Sequence, residues 1–352
     1  MYIKGYTKKM LLLKCHNGGK KPKKAGENLD KISMGKIAKS LNISKNTVSK
    51  AINNKGGVSY STKKKILELA KKEGYAFEEP FAHIGVVMPA SPRNFWNSYL
   101  SNIQKRSDEL GLVCRNFLYE NSAHPEEVLW CLECAEKAGV QVLIVGITCS
   151  VGIPEIMDKV KELDEKIFVL FVHEIYRDDH QFYVGEHSYE SARKLTSTYL
   201  SKYPDSKNFL VFSKGGHSIV SRVDGFRDEL TLRGLKVVDV LRFPEKSTAM
   251  AAKVARMLEK YKDDIDCVFC ASDSVSDACL AIRKLKQDIH CIGFDCTTSD
   301  MTYFDMGILK CVARQNIPAQ AKTVVDAAYY CIIHGKKPKP NHLYVDDYFI
   351  SG

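Results

Sequence analysis

Three observations in this chain predict a small all-α head joined to a larger α/β body. Residues 32–75 carry apolar positions at helical spacing in three short stretches, each preceded by a residue suited to capping. From Ala82 the texture changes to short apolar runs alternating with longer amphipathic stretches, as in a doubly wound parallel sheet. Charge divides at the same boundary: the first 75 residues hold nineteen lysines against four acidic residues, a net +15, and the remainder carries −5.

In the head, Ser33 stands where it can cap a first helix whose Met34, Ile37, Ala38 and Leu41 share one face. Asn42 suits a tight turn, and Ser44 is placed to cap a second helix. Val48 and Ile52, four apart, turn inward and leave Lys45, Asn46, Ser49, Lys50 and Asn53 outside. A third helix begins between Ser59 and Thr62 and packs Ile66, Leu67 and Ala70. Two helices across a tight turn, the second basic on its open face, form the helix-turn-helix plan that lays a helix in the major groove of DNA. A lysine-rich face met alone is more often simply solvated, but the turn spacing and the positive surplus together favour phosphate backbones.

The 352 residues suffice for more than one domain. No run of about eighteen apolar residues suggests a membrane span. The apolar patch Met10–Leu13 is too short for a signal-peptide core, so a cytoplasmic location is expected, with the twelve cysteines reduced. Two Cys-x-x-Cys pairs occur, Cys131 with Cys134 and Cys267 with Cys270. The second lies in an expected strand, where residues three apart face opposite ways, and the first on an expected helix without a second pair nearby. Both are read as core cysteines; no metal and no cofactor are expected.

Residues Ile37-Ala38, Ile43-Ser44-Lys45-Asn46-Thr47-Val48-Ser49, Ala51, Asn53 and Val58-Ser59, running on to Gly74-Tyr75, resemble the helix-turn-helix of the lactose-repressor (LacI-type) family of transcriptional regulators. The resemblance implies a dimer on double-stranded operator DNA, controlled by a small effector, with a carbohydrate as the expected class. Asn46 is then placed to read adenine and Lys50 guanine, with Lys45 able to do either, and Ser33, Ser44, Ser59 and Thr62 fall near phosphates. Thr47, Ser49 and Asn53 complete the expected DNA-binding set.

The body's apolar runs are residues 84–90, 142–147, 167–172, 208–213, 266–271 and 289–294; helices are expected over 97–110, 125–138, 189–203, 218–233 and 248–261. Composition leaves open whether these build one sheet or two. The resemblance implies two lobes like those of periplasmic sugar-binding proteins, each a doubly wound parallel sheet, spanning 84–352. Crossings between lobes are expected near 174–178, 306–314 and 333–343.

Ligands in such folds bind beyond the carboxyl ends of the strands. That rule nominates Ala90–Trp96, Thr148–Ser150, His173, Ser213–Ser218, Ser272–Asp273 and Asp295. The resemblance falls on several: Arg222-Val223-Asp224-Gly225-Phe226 is similar to the family's Arg-x-x-Gly-Phe, whose arginine grips ligand oxygens. Ala271-Ser272-Asp273 is similar to Ala-Asn-Asp, Gly293-Phe294-Asp295 to Gly-Phe-Asp, and Ala313-Arg314-Gln315 to a ligand-contacting glutamine segment. The expected effector set is Phe95, Trp96, His173, Arg222, Ser272, Asp295 and Gln315. Forked guanidinium donors and a carboxylate acceptor suit a polyol, and Phe95 or Trp96 suits an apolar sugar face. Plainer roles compete: a surface salt bridge for Arg222, a helix cap for Asp273, a core position for Phe95 or Trp96, a satisfied histidine for His173. Ser272 departs from the family's amide, and His187-Ser188 from its Asp-Asn.

Two features depart further. Tyr75 is followed by residues 76–83, AFEEPFAH, where the family carries a hinge helix; Pro80, Glu78 and Glu79 all oppose a helix on the minor groove, so none is expected. The basic arm 1–31 has the composition of disorder, with minor-groove binding as the alternative. Two rival functions remain in view. A transport or sensor protein leaves the basic head unexplained, and an enzyme built on the Ser213–His217 loop finds no Walker or Gly-x-Gly-x-x-Gly motif. A regulator that has lost its ligand response is the third possibility.

Overall fold

The computed structural model describes residues 33–52, 58, 60–75, 83–91, 93–120, 124–148, 152–176, 181–243 and 250–352. The arm 1–31, the segment 76–82 with its expected lack of a hinge helix, and the side chains of Asn53 and Ser59 lie outside them.

The head consists of α1 (Met34–Ser40), α2 (Lys45–Ile52) and α3 (Tyr60–Lys72). Asn42 takes φ 52°, the left-handed turn that a short polar side chain tolerates. Ser44 caps α2 in the expected way, its Oγ accepting from Thr47 N at 3.0 Å. Ser33 occupies the N-cap of α1 with extended backbone, but its side chain makes no capping bond; its carbonyl accepts from Lys36 N instead. Ile37, Val48, Ala51, Ile66 and Ala70 form an almost wholly buried core.

The first lobe holds β1 (His83–Pro89), β2 (Val113–Tyr119), β3 (Val142–Val145), β4 (Phe168–Val172), β5 (Phe182–Gly185) and, from far along the chain, β11 (His342–Tyr344). All are parallel, in the order β11-β5-β4-β3-β1-β2. One face packs against α4 (Arg93–Leu110) and α12 (Ile317–His334), the other against α5 (Pro125–Lys137) and α6 (Ile153–Asp164). The second lobe holds β6 (Asn208–Ser213), β7 (Lys236–Arg242), β8 (Cys267–Cys270), β9 (His290–Phe294), β10 (Leu309–Arg314) and β12 (Tyr348–Ser351), in the order β12-β10-β9-β8-β6-β7. Its strands are parallel apart from β12, which closes the edge antiparallel to β10. Here α7 (Ser188–Lys202) and α8 (His217–Thr231) cover one face, α9 (Met250–Tyr261) and α10 (Val275–Leu285) the other. A 3₁₀ turn (Thr298–Met301) and α11 (Thr302–Asp305) lead into β10.

The chain crosses between lobes at 186–187, 315–316 and 345–347, each later than the sequence suggested. The first shift arises because β5 is a four-residue strand that still belongs to the first sheet. At the second, β10 completes the second sheet before the chain leaves it. At the third, β11 is only half-buried and carries no apolar run to announce it. Cys267 faces the α7–α8 side and Cys270 the α9–α10 side, as strand alternation requires. Cys131 is buried on α5, where burial raises its thiol pKa to about 11. Among the described residues no group of histidine, cysteine or carboxylate side chains could hold a metal, and no helix is long and apolar enough to cross a membrane.

Candidate functional site

The head offers an open polar helix. Ser44, Lys45 and Asn46, at the start of α2, are exposed; Thr47, Ser49 and Lys50 are half-buried. Buried Val48, Ala51 and Ile52 fix which face of α2 points away, so side-chain spacing alone sets the open face. Thr47 Oγ1 lies 2.8 Å from Ser44 Oγ, so both hydroxyls are tied to the cap. Lys45, Asn46 and Lys50 form no side-chain hydrogen bond or ion pair with any described residue. Thr62 lies half-buried in the first turn of α3.

The second site is the cleft between the lobes, where a cavity of about 330 Å³ is lined by residues from both. Of the seven residues nominated from the sequence, Phe95, Asp295 and Gln315 line it. Trp96 does not: it is core, 1% exposed, and packs edge-on against Phe95 and the His173 ring. His173 takes φ 72° at the end of β4 and packs against both the Phe95 and Trp96 rings, its Nδ1 buried without a hydrogen-bond partner among the described residues. Ser272, at the carboxyl end of β8, is 5% exposed and its hydroxyl also lacks a partner. Asp273 does not cap α10; the N-cap is Ser274, and Asp273 pairs with Lys214 at 2.5 Å.

Arg222 is held by protein groups on every side. Its Nε and Nη2 donate to Glu186 Oε1 at 2.8 and 2.7 Å, and Nη1 to Asp295 Oδ2 at 2.9 Å and to the Ala271 carbonyl at 3.0 Å. The guanidinium also stacks 4.0 Å from the Phe294 ring. Burial disfavours the charge, but the two carboxylates outweigh it and keep Arg222 protonated. Arg222 therefore anchors the floor of the cleft. Asp295 presents its second oxygen, with the carboxylate 27% exposed beside the cavity.

This arrangement depends on Gly225, one turn along α8 from Arg222. A β-carbon there would meet the Tyr189 carbonyl at 2.2 Å, so α7 and α8 can approach this closely only with glycine at the contact. Phe226 next to it stacks on Phe269 at 4.1 Å, fixing α8 to the sheet. The glycine and phenylalanine of the motif thus hold the helix that carries the arginine.

Several residues were not found from the sequence. Glu186 and Asp347 sit on two different crossings and converge beside Arg222. Asp347 is 7% exposed; neither oxygen forms a hydrogen bond, although Ser191 and the Glu186 carboxylate lie beside it. Burial first, and then the negative charge of Glu186, raise its pKa to about 8, against smaller opposing effects of Ser191 and Arg222. Tyr99, wholly buried on α4, donates to Gln320 of α12; burial and the nearby Glu186, Asp347 and Asp295 keep its phenol protonated. Glu174, immediately after His173, reaches across the cleft: its carboxylate accepts from Ser218 N at 3.2 Å and Ser218 Oγ at 2.5 Å. That places a negative charge at the amino end of α8, where the helix dipole favours it. The crossings, as hinge elements, were the only available signal for Glu186 and Asp347.

Two family models match the chain. Residues 33–76 match that of the bacterial regulatory proteins of the lacI family, and residues 84–337, well over half the chain, match the periplasmic binding protein domain. No curated protein gave a significant match. Among solved structures, the lac repressor dimer bound to operator and the anti-inducer ONPF is 16% identical, with 91% of this chain and 98% of that one covered at a TM-score of 0.64. A myo-inositol binding protein of Caulobacter, solved with myo-inositol, is 20% identical over 79% of this chain and 96% of that one, with a TM-score of 0.67. A solute-binding protein from Burkholderia graminis, solved with D-arabinose, is 13% identical over 78% and 97%, with a TM-score of 0.68. At these identities the structural likeness establishes a shared fold. Together with the two family models, that fold makes the chain a member of the periplasmic binding protein domain family that carries the head of the lacI family of bacterial regulatory proteins.

Proposed function

We propose that the protein is a cytoplasmic, homodimeric transcriptional regulator that binds operator DNA through α2 and is controlled by a small effector held between its lobes. The observation that carries this reading is the union, in one chain, of a lacI-type head and a two-lobed binding domain. Asn46 supplies a bidentate amide for adenine, Lys50 a donor for guanine, and Lys45 either; the polar ends of all three are unengaged among the described residues. Ser33, Ser44, Ser59 and Thr62 serve the phosphates, and Thr47, Ser49 and Asn53 complete the DNA-binding set. The neighbours solved with myo-inositol and D-arabinose support a sugar or sugar derivative as effector, and the lac repressor neighbour supports a dimer on DNA.

A solute-binding role without DNA leaves the +15 of residues 1–75 without purpose. The test is retention of sheared genomic DNA by the full chain at about 0.15 M salt, followed by sequencing. Enrichment of a palindrome with fixed half-site spacing supports a dimeric regulator, and release of that DNA by a small molecule supports effector control. Retention without sequence preference rules out specific reading by α2.

A further inference from the structure

The cleft contains two arginines in opposite circumstances. Arg222 is buried and its charge is met by two carboxylates. Arg314, at the carboxyl end of β10, lines the cavity, and its solvent-exposed side chain forms no hydrogen bond or ion pair with any described residue. Ser98, Thr298 and Gln315 line the same space, and their side chains are likewise unengaged. The cavity thus presents an unmatched cation flanked by hydroxyl and amide groups, on the side where the chain passes from β10 into α12.

The opposite requirement is met within the same lining. Asp295 is fixed by Arg222 and offers an acceptor for hydroxyls, while Phe95 and Ile317 supply apolar contact. A neutral polyol would satisfy Asp295 and leave the solvent-exposed guanidinium of Arg314 facing only water. A forked guanidinium matches two oxygens of a phosphate or carboxylate, in the strongest hydrogen-bonding geometry a side chain can offer. The cavity lies at the small end of ligand pockets, which suits a ligand of one sugar ring.

We propose that the effector carries an anionic group alongside its hydroxyls, as a sugar phosphate or a sugar acid does, and that Arg314, with Thr298 and Gln315, binds that group. This rests on the reading of the cleft as an effector site. Arg314 then selects the class of effector, and Asp295 recognises its hydroxyls.

The test measures thermal melting of the full chain and of Arg314→Gln, with inorganic phosphate against chloride at matched ionic strength. Hexose 6-phosphates and hexuronic acids are then compared with the neutral hexoses. Anionic probes are expected to raise the melting temperature of the wild type. Arg314→Gln should melt at the wild-type temperature without ligand and lose at least about tenfold in affinity for the anion, the typical cost of one charge-assisted contact. Arg314→Lys, which keeps the charge without the fork, should recover part of it. The phosphate and carboxylate arms identify which anion the site takes. The proposal is overturned if no anionic probe shifts the melting temperature, if a neutral hexose binds as tightly as its anionic counterpart, or if Arg314→Gln binds like the wild type. A neutral sugar that releases specific DNA from wild type and Arg314→Gln alike would overturn the anion assignment and leave the regulator reading standing. Loss of sequence preference in the DNA-retention assay would remove the regulator reading whatever the cleft binds.

Discussion

The open face of α2 and the floor of the cleft are both assembled from polar and charged side chains, yet they are built on opposite principles. On α2, Lys45, Asn46 and Lys50 project from a helix whose apolar side is buried, and their charged or amide ends have no partner among the described residues. On the cleft floor, Arg222, Glu186 and Asp295 lock one another, and Asp347 lies against them with its oxygens unbonded. The first surface is arranged for a partner brought from outside. The second is an interlocked internal network that holds Asp295 in place. Substitutions in the two regions should therefore fail in different ways: on α2 by loss of binding with stability intact, on the floor by loss of stability first.

The largest effect should come from Arg222→Ala. Two carboxylates, one of them 2% exposed, would be left facing each other without a counter-charge. Breaking a buried pair by removing one partner costs about 3–5 kcal/mol. Urea denaturation should show a loss of that order, whereas Arg222→Ala with wild-type stability would mean the network is relaxed by water and the contrast with α2 is false.

How much of this contrast can be read from the sequence depends on the distance between the residues involved. The head is local: Asn42, Ser44 and the spacing of Ile37, Val48 and Ile66 lie within one short stretch, and helical period is enough to orient α2. The central strands are equally legible, because β1, β3, β4 and β8 are buried on both faces and read as unbroken apolar runs. The edge strands β2 and β7 are not, since their residues alternate between partial burial and exposure. Of the residues that line the cleft, Phe95 and Asp295 were nominated because they follow strands, and Gln315 because its segment resembles the family's. Arg222 was found through its motif but assigned to the ligand, because Glu186 lies 36 residues away in sequence, on a crossing expected about ten residues earlier. Asp347 was invisible for the same reason.

Asp347 gives the next test of the floor. Its pKa is raised from 3.8 to about 8 in the folded chain. Between those values the folded protein keeps a proton that the unfolded chain has released, so stability falls as pH rises, by at most about 1.4 kcal/mol per unit. Below about pH 4 both states are protonated and the dependence vanishes; above about pH 8 both are ionised and the full penalty stands. Asp347→Asn, neutral throughout, should flatten this slope and exceed the wild type most clearly at pH 8. Equal slopes from pH 6 to 8 in the two proteins would show that Asp347 is ionised and hydrated in the folded state.

On α2 the expected effects appear in affinity. Lys50→Ala should cost about 1–3 kcal/mol on the preferred operator and relax one base position, while the melting temperature of the chain stays put. Asn46→Ala should do the same at an adenine. If either loss is equal on every DNA sequence, that side chain holds a phosphate, and the open face positions more than it reads.

The smallest effect should fall on the link between the lobes. Ser218 donates both its backbone N–H and its hydroxyl to Glu174, so Ser218→Ala removes one bond and leaves the other. One hydrogen bond contributes about 1 kcal/mol, too little to unfold a lobe but enough to shift an open–closed balance about fivefold. Effector affinity should weaken by that factor with the melting temperature nearly unchanged, and small-angle scattering of the ligand-free chain should report a more open cleft. If the affinity does not move while Glu174→Gln weakens it, the carboxylate's charge at the start of α8, rather than the hydroxyl, is what holds the lobes together.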